Sequence, residues 1–213
     1  MQLAESSQHS SDHMSDLMEI RPVTLKGTRV RMEPLSLERH FAGLMEIGLE
    51  PELWRWTLNV CATREDLMRY LREALDMQSE GSALPFATVD QATGRVLGCT
   101  RFGNIEPKHR RVEIGWTWVG RAFQRSHVNT EAKYLMLRHA FETWGCVRVE
   151  LKTNALNRKS RDAIVRIGGK EEGILRKHAT SDTGVVRDTV YFSITDDEWP
   201  GVKKRLESMM AAG

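Results

Sequence analysis

The sequence predicts a mixed α/β domain: a mixed, mostly antiparallel, twisted sheet of about seven strands, flanked by helices. Three observations predict it. Strand-like alternation lies on both sides of the best helical stripe in the chain, which implies a right-handed crossover there. Polar turns between other strand-like segments mark hairpins, and hence antiparallel pairs. The chain has 213 residues, 40% of them hydrophobic, which suits one domain with a sizeable core.

Residues 1–20 are rich in Ser, Gln, His and Met without periodicity and read as a disordered lead-in; residues 21–213 read as the single domain. Thr28–Met32 alternates as a strand. Ser36 opens a helical run through Leu37, Phe41, Leu44 and Met45. Pro51 starts a second piece with Leu53, Trp54 and Trp56. Thr63 and Asp66 mark a third helix start, continued by Leu67, Tyr70, Leu71 and Leu75. Pro85–Val89 and Arg95–Phe102 form a hairpin about the polar turn Asp90–Gly94. Arg111–Val119 is the next strand, with Val112, Ile114, Trp116 and Trp118 expected on one face and Arg111, Glu113 and Thr117 on the other.

After Gln124 the period changes to helical, with Ala132, Leu135, Met136, Ala140, Phe141 and Trp144 on one stripe and Gly145 as the stop. Val147, Val149 and Leu151 then alternate as a strand. Asn157–Ile167 is a short helix ended by Gly168-Gly169. Gly173–His178 and Val185–Ile194 are strands joined by Ser181–Gly184. Thr195 and Glu198 are spaced as a capping box before a terminal helix through Trp199, Val202, Leu206 and Met209.

Composition narrows the function. No stretch approaches the ~18 apolar residues of a membrane span, and no secretory signal is visible. Cys61, Cys99 and Cys146 are odd in number and widely spaced, so a disulfide framework or zinc site is not expected, and a cytoplasmic setting is. The seven histidines show no metal-ligand spacing, and no metal is predicted. A net charge of +2 gives little support to nucleic-acid binding; the short run Lys108–Arg111 reads more simply as a solvated loop.

One segment carries candidate chemistry. Gln124–Lys133 (Q-R-S-H-V-N-T-E-A-K) joins a strand to a helix start, where free N–H groups and the positive dipole end favour a phosphate. Arg125 adds a cation, Ser126 a hydroxyl, and Asn129 and Thr130 can cap or donate. The same residues also suit an ordinary capped helix with an exposed arginine.

In order and spacing, this segment and three others resemble the GNAT superfamily of acetyl-CoA-dependent acyltransferases, within it the RimJ/RimL-like branch. The four are Gln124–Asn129 followed by Thr130-Glu131-Ala132; Glu113-Ile114-Gly115-Trp116; Asn157-Arg158-Lys159-Ser160; and Glu172–Arg176 with Arg187-Asp188 and Tyr191–Ser193. The resemblance runs from about Ile20 to the end. It departs at His127 and Asn129, which stand where the family favours glycine for close backbone approach to phosphate.

The resemblance implies a V-shaped splay between the fourth and fifth strands, with Trp116, Thr117, Trp118 and Val119 presenting backbone to the pantetheine arm. It implies a pyrophosphate site at Gln124, Arg125, Ser126, His127, Val128, Asn129 and Thr130, with Arg161 reaching the phosphates. Asn157 would meet the pantetheine or orient a water, and also reads as an N-cap. Ser160 would protonate the leaving thiolate, or is a plain helix serine. Glu113 is the candidate proton acceptor, with His178 second; each also reads as a structural or surface residue. Trp54, Trp56, Arg176 and His178 are placed at the acceptor site.

The expected function is therefore direct acetyl transfer from acetyl-CoA, with no metal, to a primary amine of a protein N-terminus or a small molecule, by a homodimer. The alternative of another class is a catalytically silent acyl-CoA-binding sensor, suggested by His127.

Overall fold

The computed structural model describes residues 18–212, so most of the expected lead-in lies outside the described residues. Among the described residues, packing is already present at Met18, ahead of the Arg21 start read from the sequence. Met18 is buried in the main core, and Trp144 Nε1 donates to the Glu19 carbonyl at 3.1 Å.

Among the described residues, eight strands form one sheet. They are β1 Leu25–Lys26, β2 Val30–Pro34, β3 Leu84–Asp90, β4 Val96–Glu106, β5 Arg111–Val119, β6 Arg148–Asn154, β7 Lys170–Thr180 and β8 Val186–Thr195, in the order β1-β2-β3-β4-β5-β6-β8-β7. The strand beyond the seven expected is the two-residue β1. Every neighbouring pair is antiparallel except β5–β6. That parallel pair is registered only over Arg111–Glu113 against Arg148–Glu150. Beyond it both strands run on without pairing to each other. This is the splay, and it falls between the fourth and fifth strands as the sequence counted them.

Among the described residues, six helices cover the sheet: α1 Leu37–Gly48, α2 Pro51–Trp54, α3 Arg64–Ser79, α4 His127–Arg138, α5 Arg158–Arg166 and α6 Trp199–Ala212. The capping signals of α1, α3 and α5 act as expected. Ser36 accepts from Arg39 N, Thr63 and Asp66 form a reciprocal box, and Asn157 accepts from Ser160 N. The expected box before α6 forms only in part: Glu198 accepts from Thr195 N at 2.9 Å, while Glu198 N bonds the Thr195 carbonyl. The stripe through Phe141 is not one continuous α-helix. His139–Thr143 widens into a π turn before Gly145 (φ +61) ends it.

Two cores lie on opposite faces. α4, α5 and α6 cover one built on Phe86, Phe102, Ile114, Leu151 and Phe192. α1, α2 and α3 cover the other, with Leu44, Trp54, Leu67, Tyr70 and Trp118. β3 serves both by simple alternation, since Leu84 and Phe86 enter the first and Ala87 and Val89 the second. The cysteines are buried and unpaired, and burial pushes each thiol up to about 12. Among the described residues, no helix is long and apolar enough to cross a membrane, and no cluster of three potential metal ligands occurs. The Lys108–Arg111 run is partly engaged, with Arg110 on the Gly145 carbonyl and Arg111 on Glu150.

Candidate active site

β5 is not the regular strand its alternation suggests. Trp116 sits at φ +50, and the β4–β5 register shifts between Cys99 and Arg101. The extra residue flips the pleat. Val112 and Ile114 face the α4 side, whereas Trp118, with Trp116 packed against it, enters the core under α1 and α3. This corrects the expected common face. A tryptophan at positive φ is strained, and it is held from both sides. Tyr70 Oη donates to the Trp116 carbonyl at 3.3 Å, and Thr100 Oγ1 to the Gly115 carbonyl at 3.1 Å. The bulge lies where β5 has left β6, so it presents backbone to an open gap.

The chain then turns through Arg121–Phe123 into α4. Gln124 Nε2 reaches back to the Val119 carbonyl at 3.0 Å and ties the loop to the end of β5. Ser126 is the N-cap and accepts from Val128 N. The left-handed position is Arg125 (φ +59), not His127, which is already the first helical residue. His127 therefore carries no left-handed strain, and its Nε2 is buried without a partner. Arg125 is exposed and Asn129 half-buried, while Val128 and Thr130 are buried. Thr130 Oγ1 accepts from Arg166.

Across the gap, Asn157 caps α5 through its Oδ1, 3.2 Å from Ser160 N. Ser160, the third residue of α5, is half-buried. Arg161 does not extend toward α4. It bonds the Ala155 carbonyl at 3.2 Å and Glu171 at 3.0 Å.

Glu113 and His178, the two proton-acceptor candidates, lie on one chain of groups. Glu113 is buried, 2.9 Å from Lys152 Nζ, and accepts from Asn104 Nδ2 at 2.6 Å. Burial works against the charge on Lys152, but Glu113 and Tyr191 together outweigh it and the pKa of Lys152 rises. Lys152 Nζ lies 4.6 Å from the centre of the Tyr191 ring, and Tyr191 Oη meets His178 Nε2 at 3.2 Å. His178 and Arg176 are exposed on β7.

A pocket of about 470 Å³ opens between the α2–α3 connection and the β7–β8 hairpin. Trp54, Trp56, Asn154 and Arg187 are on its walls. Trp54 is also core: its indole donates to the Gly48 carbonyl and packs on Tyr70 and Trp118. Arg176 and His178 are not on the pocket wall.

Two charged residues escaped sequence reasoning. Arg187 was seen only as part of a motif. Lys133, on α4, is 6% exposed and donates to Thr117 Oγ1 at 2.6 Å and Thr100 Oγ1 at 3.5 Å. Burial drives its pKa down to about 7, with Glu113 opposing. Nothing in the pattern marked it, because α4 is buried on nearly every side from Val128 to Leu137.

Comparison with known proteins agrees with this geometry. Residues 29–170 match the family model described as an acetyltransferase (GNAT) domain. The chain is 33% identical over 110 residues to YdaF of Bacillus subtilis (strain 168), named "Putative ribosomal N-acetyltransferase", covering 52% of this chain and 59% of that one. It is 25% identical over 128 residues to the [ribosomal protein uS5]-alanine N-acetyltransferase of Escherichia coli (strain K12), covering 59% and 65%. It thus spans less than two thirds of the length of either relative. A solved GCN5-related N-acetyltransferase from Brucella melitensis superimposes with a TM-score of 0.82 at 31% identity, over 89% of this chain and 86% of that one. The splayed sheet, the bulged β5 and the matched span together place the chain in the GNAT acetyltransferase domain family, to which it belongs.

Proposed function

We propose that this protein transfers an acetyl group from acetyl-CoA directly to a primary amine, an α-amino terminus of a protein or a small molecule. The observation that carries the reading is the splay between β5 and β6, flanked by the bulge at Trp116 and by the N-terminus of α4.

Each part has a task in that reaction. The free N–H groups at the start of α4, with exposed Arg125 beside them, receive the pyrophosphate. The pantetheine arm lies along Trp116–Val119 as a substitute strand in the gap. Backbone N–H groups at the bulge polarise the thioester carbonyl, and fixing the Gly115 and Trp116 carbonyls keeps those donors oriented before the substrate arrives. Asn157 spends its Oδ1 on the cap and keeps its amide NH₂ for the arm. The amine enters from the Trp54–Trp56 pocket. As the C–N bond forms, the amine proton passes through water toward Glu113. As the C–S bond breaks, the thiolate takes a proton from the solvent-accessible side at Ser160.

The names of the curated relatives favour a protein N-terminus as acceptor. The test is thiol release from acetyl-CoA over a panel of N-terminal peptides and small amines, alongside calorimetry with acetyl-CoA. Turnover on at least one acceptor is expected. Tight binding without turnover on any acceptor refutes the enzyme and leaves a binding module.

A further inference from the structure

The acceptor pocket contains a half-buried cation, Arg187, whose hydrogen bonding the fold leaves incomplete. Arg187, on β8, donates from Nη1 to the Trp56 carbonyl on the facing wall at 3.0 Å. Its Nε is shut off from solvent and has no hydrogen-bond partner. The carboxylates nearest to it along the chain bond elsewhere: Asp188 Oδ1 accepts from Lys177 N at 2.7 Å, and Asp182 Oδ2 from Asn59 Nδ2 at 3.4 Å. Burial lowers the pKa of Arg187, and Glu113 is close enough to oppose that shift. A buried Nε–H without an acceptor on a half-buried guanidinium that has no anion beside it calls for an explanation such as a ligand that completes it.

The rim around it is apolar. Leu156, Val185, Val186 and Val60 are 71, 63, 54 and 36% exposed, and all four line this pocket. Arg55 is stacked on the Trp56 ring at 4.9 Å and adds a second positive charge. A long polyamine would bring further ammonium groups against Arg55 and Arg187. A simple alkylamine would fill the rim but leave Arg187 unsatisfied.

We propose that Arg187 anchors an oxygen carried next to the amine of the acceptor, a carboxylate or an amide carbonyl, while the apolar rim holds its side chain. The substrate class is then α-amino compounds with an apolar side chain. This rests on the amine-acetyltransferase reading above. The shared chemistry has two sources, a free amino acid or the first residue of a peptide chain.

Four acceptors separate the possibilities: L-leucine, L-leucinamide, 3-methylbutylamine, which is leucine without its carboxylate, and spermidine. Each is followed by thiol release with acetyl-CoA and, independently, by quenching of tryptophan fluorescence without it. Wild type is expected to prefer leucine or leucinamide to 3-methylbutylamine by about tenfold or more in kcat/KM and in affinity, with spermidine weakest. Leucine ahead of leucinamide identifies a free amino acid; the reverse identifies a chain terminus. Arg187→Met should remove that preference while changing 3-methylbutylamine by less than about threefold, and Arg187→Lys should fall between. A wild type without the preference overturns the anchor whatever the variants do. So does an equal loss on all acceptors in Arg187→Met, or failure of every acceptor to bind. An oxygen preference in binding with no thiol release from any acceptor keeps the anchor and overturns acetyl transfer.

Discussion

Lys133 shows how far a single side chain can depart from its sequence setting. It lies two residues after Glu131, on a helix whose visible stripe is Ala132, Leu135 and Met136, so spacing alone would put it in water. Instead it is enclosed with two threonine hydroxyls, and burial brings its pKa to about 7 from an ordinary 10.5. The unfolded chain therefore holds this proton up to about 10.5, while the folded protein releases it above about 7. Between those values the unfolded state binds more protons, so stability rises with pH, by at most ~1.4 kcal/mol per unit from this group. Below pH 7 the folded protein carries a buried ammonium without a carboxylate partner. Lys133→Met keeps the length of the side chain and removes the charge. The variant is expected to be the more stable protein near pH 6, with the difference shrinking steadily toward pH 9.5, as read by urea unfolding across that range. A difference independent of pH would show that Lys133 keeps its ordinary affinity for the proton in the folded state.

At the scale of elements, helix starts were legible and backbone irregularities were not. Ser36, Thr63 and Asn157 announce their helices because a capping side chain must stand at a fixed offset from the N–H it satisfies. The bulge at Trp116 left no such mark. Positive φ is signalled in sequence by glycine, and here tryptophan and Arg125 adopt it, held by neighbours distant in the chain. His127 stands where the family favours glycine, yet the left-handed position falls two residues earlier, at Arg125. Arg161 was assigned to phosphate from its place in a motif, but its partners Ala155 and Glu171 depend on how α5 packs beside β7. Asn157 allows the cap and the proposed chemistry to be separated. Asn157→Asp retains the Oδ1 acceptor at the N-cap and loses the amide donor. Asn157→Ala loses both, at a cost of about 1 kcal/mol in stability. Both variants should lose about tenfold or more in kcat/KM for acetyl transfer, while only the alanine variant shows a lower melting temperature. An aspartate variant with wild-type kcat/KM would confine Asn157 to its capping role.

The molecule as a whole is two half-sheets joined by a short seam. β1 to β5 form one half and β6 to β8 the other, and the ladder between them has three residue pairs before it parts. The α4 side of both halves is packed by a continuous core, which keeps the gap from closing. On the opposite face α1 and α3 cover only the first half, where Trp118, Tyr70 and Leu71 are buried. The order of the elements made this topology readable, since a single crossover helix between hairpins permits one parallel pair. The length of the ladder was not readable, because Val147–Leu151 alternates whether or not it is paired. An open seam lined by unpaired backbone is a place where a bound strand-like ligand adds hydrogen bonds that the protein alone lacks. Acetyl-CoA at a hundred times its dissociation constant should therefore stabilise the fold by about 2.7 kcal/mol. The accompanying change in amide hydrogen exchange should be local. Protection should increase at Trp116–Val119 and at the first turn of α4, with little change in β2, β3 or α6. Stabilisation without protection at β5 would place the ligand outside the splay, and uniform protection across both halves would mean that the seam is already closed in the free protein.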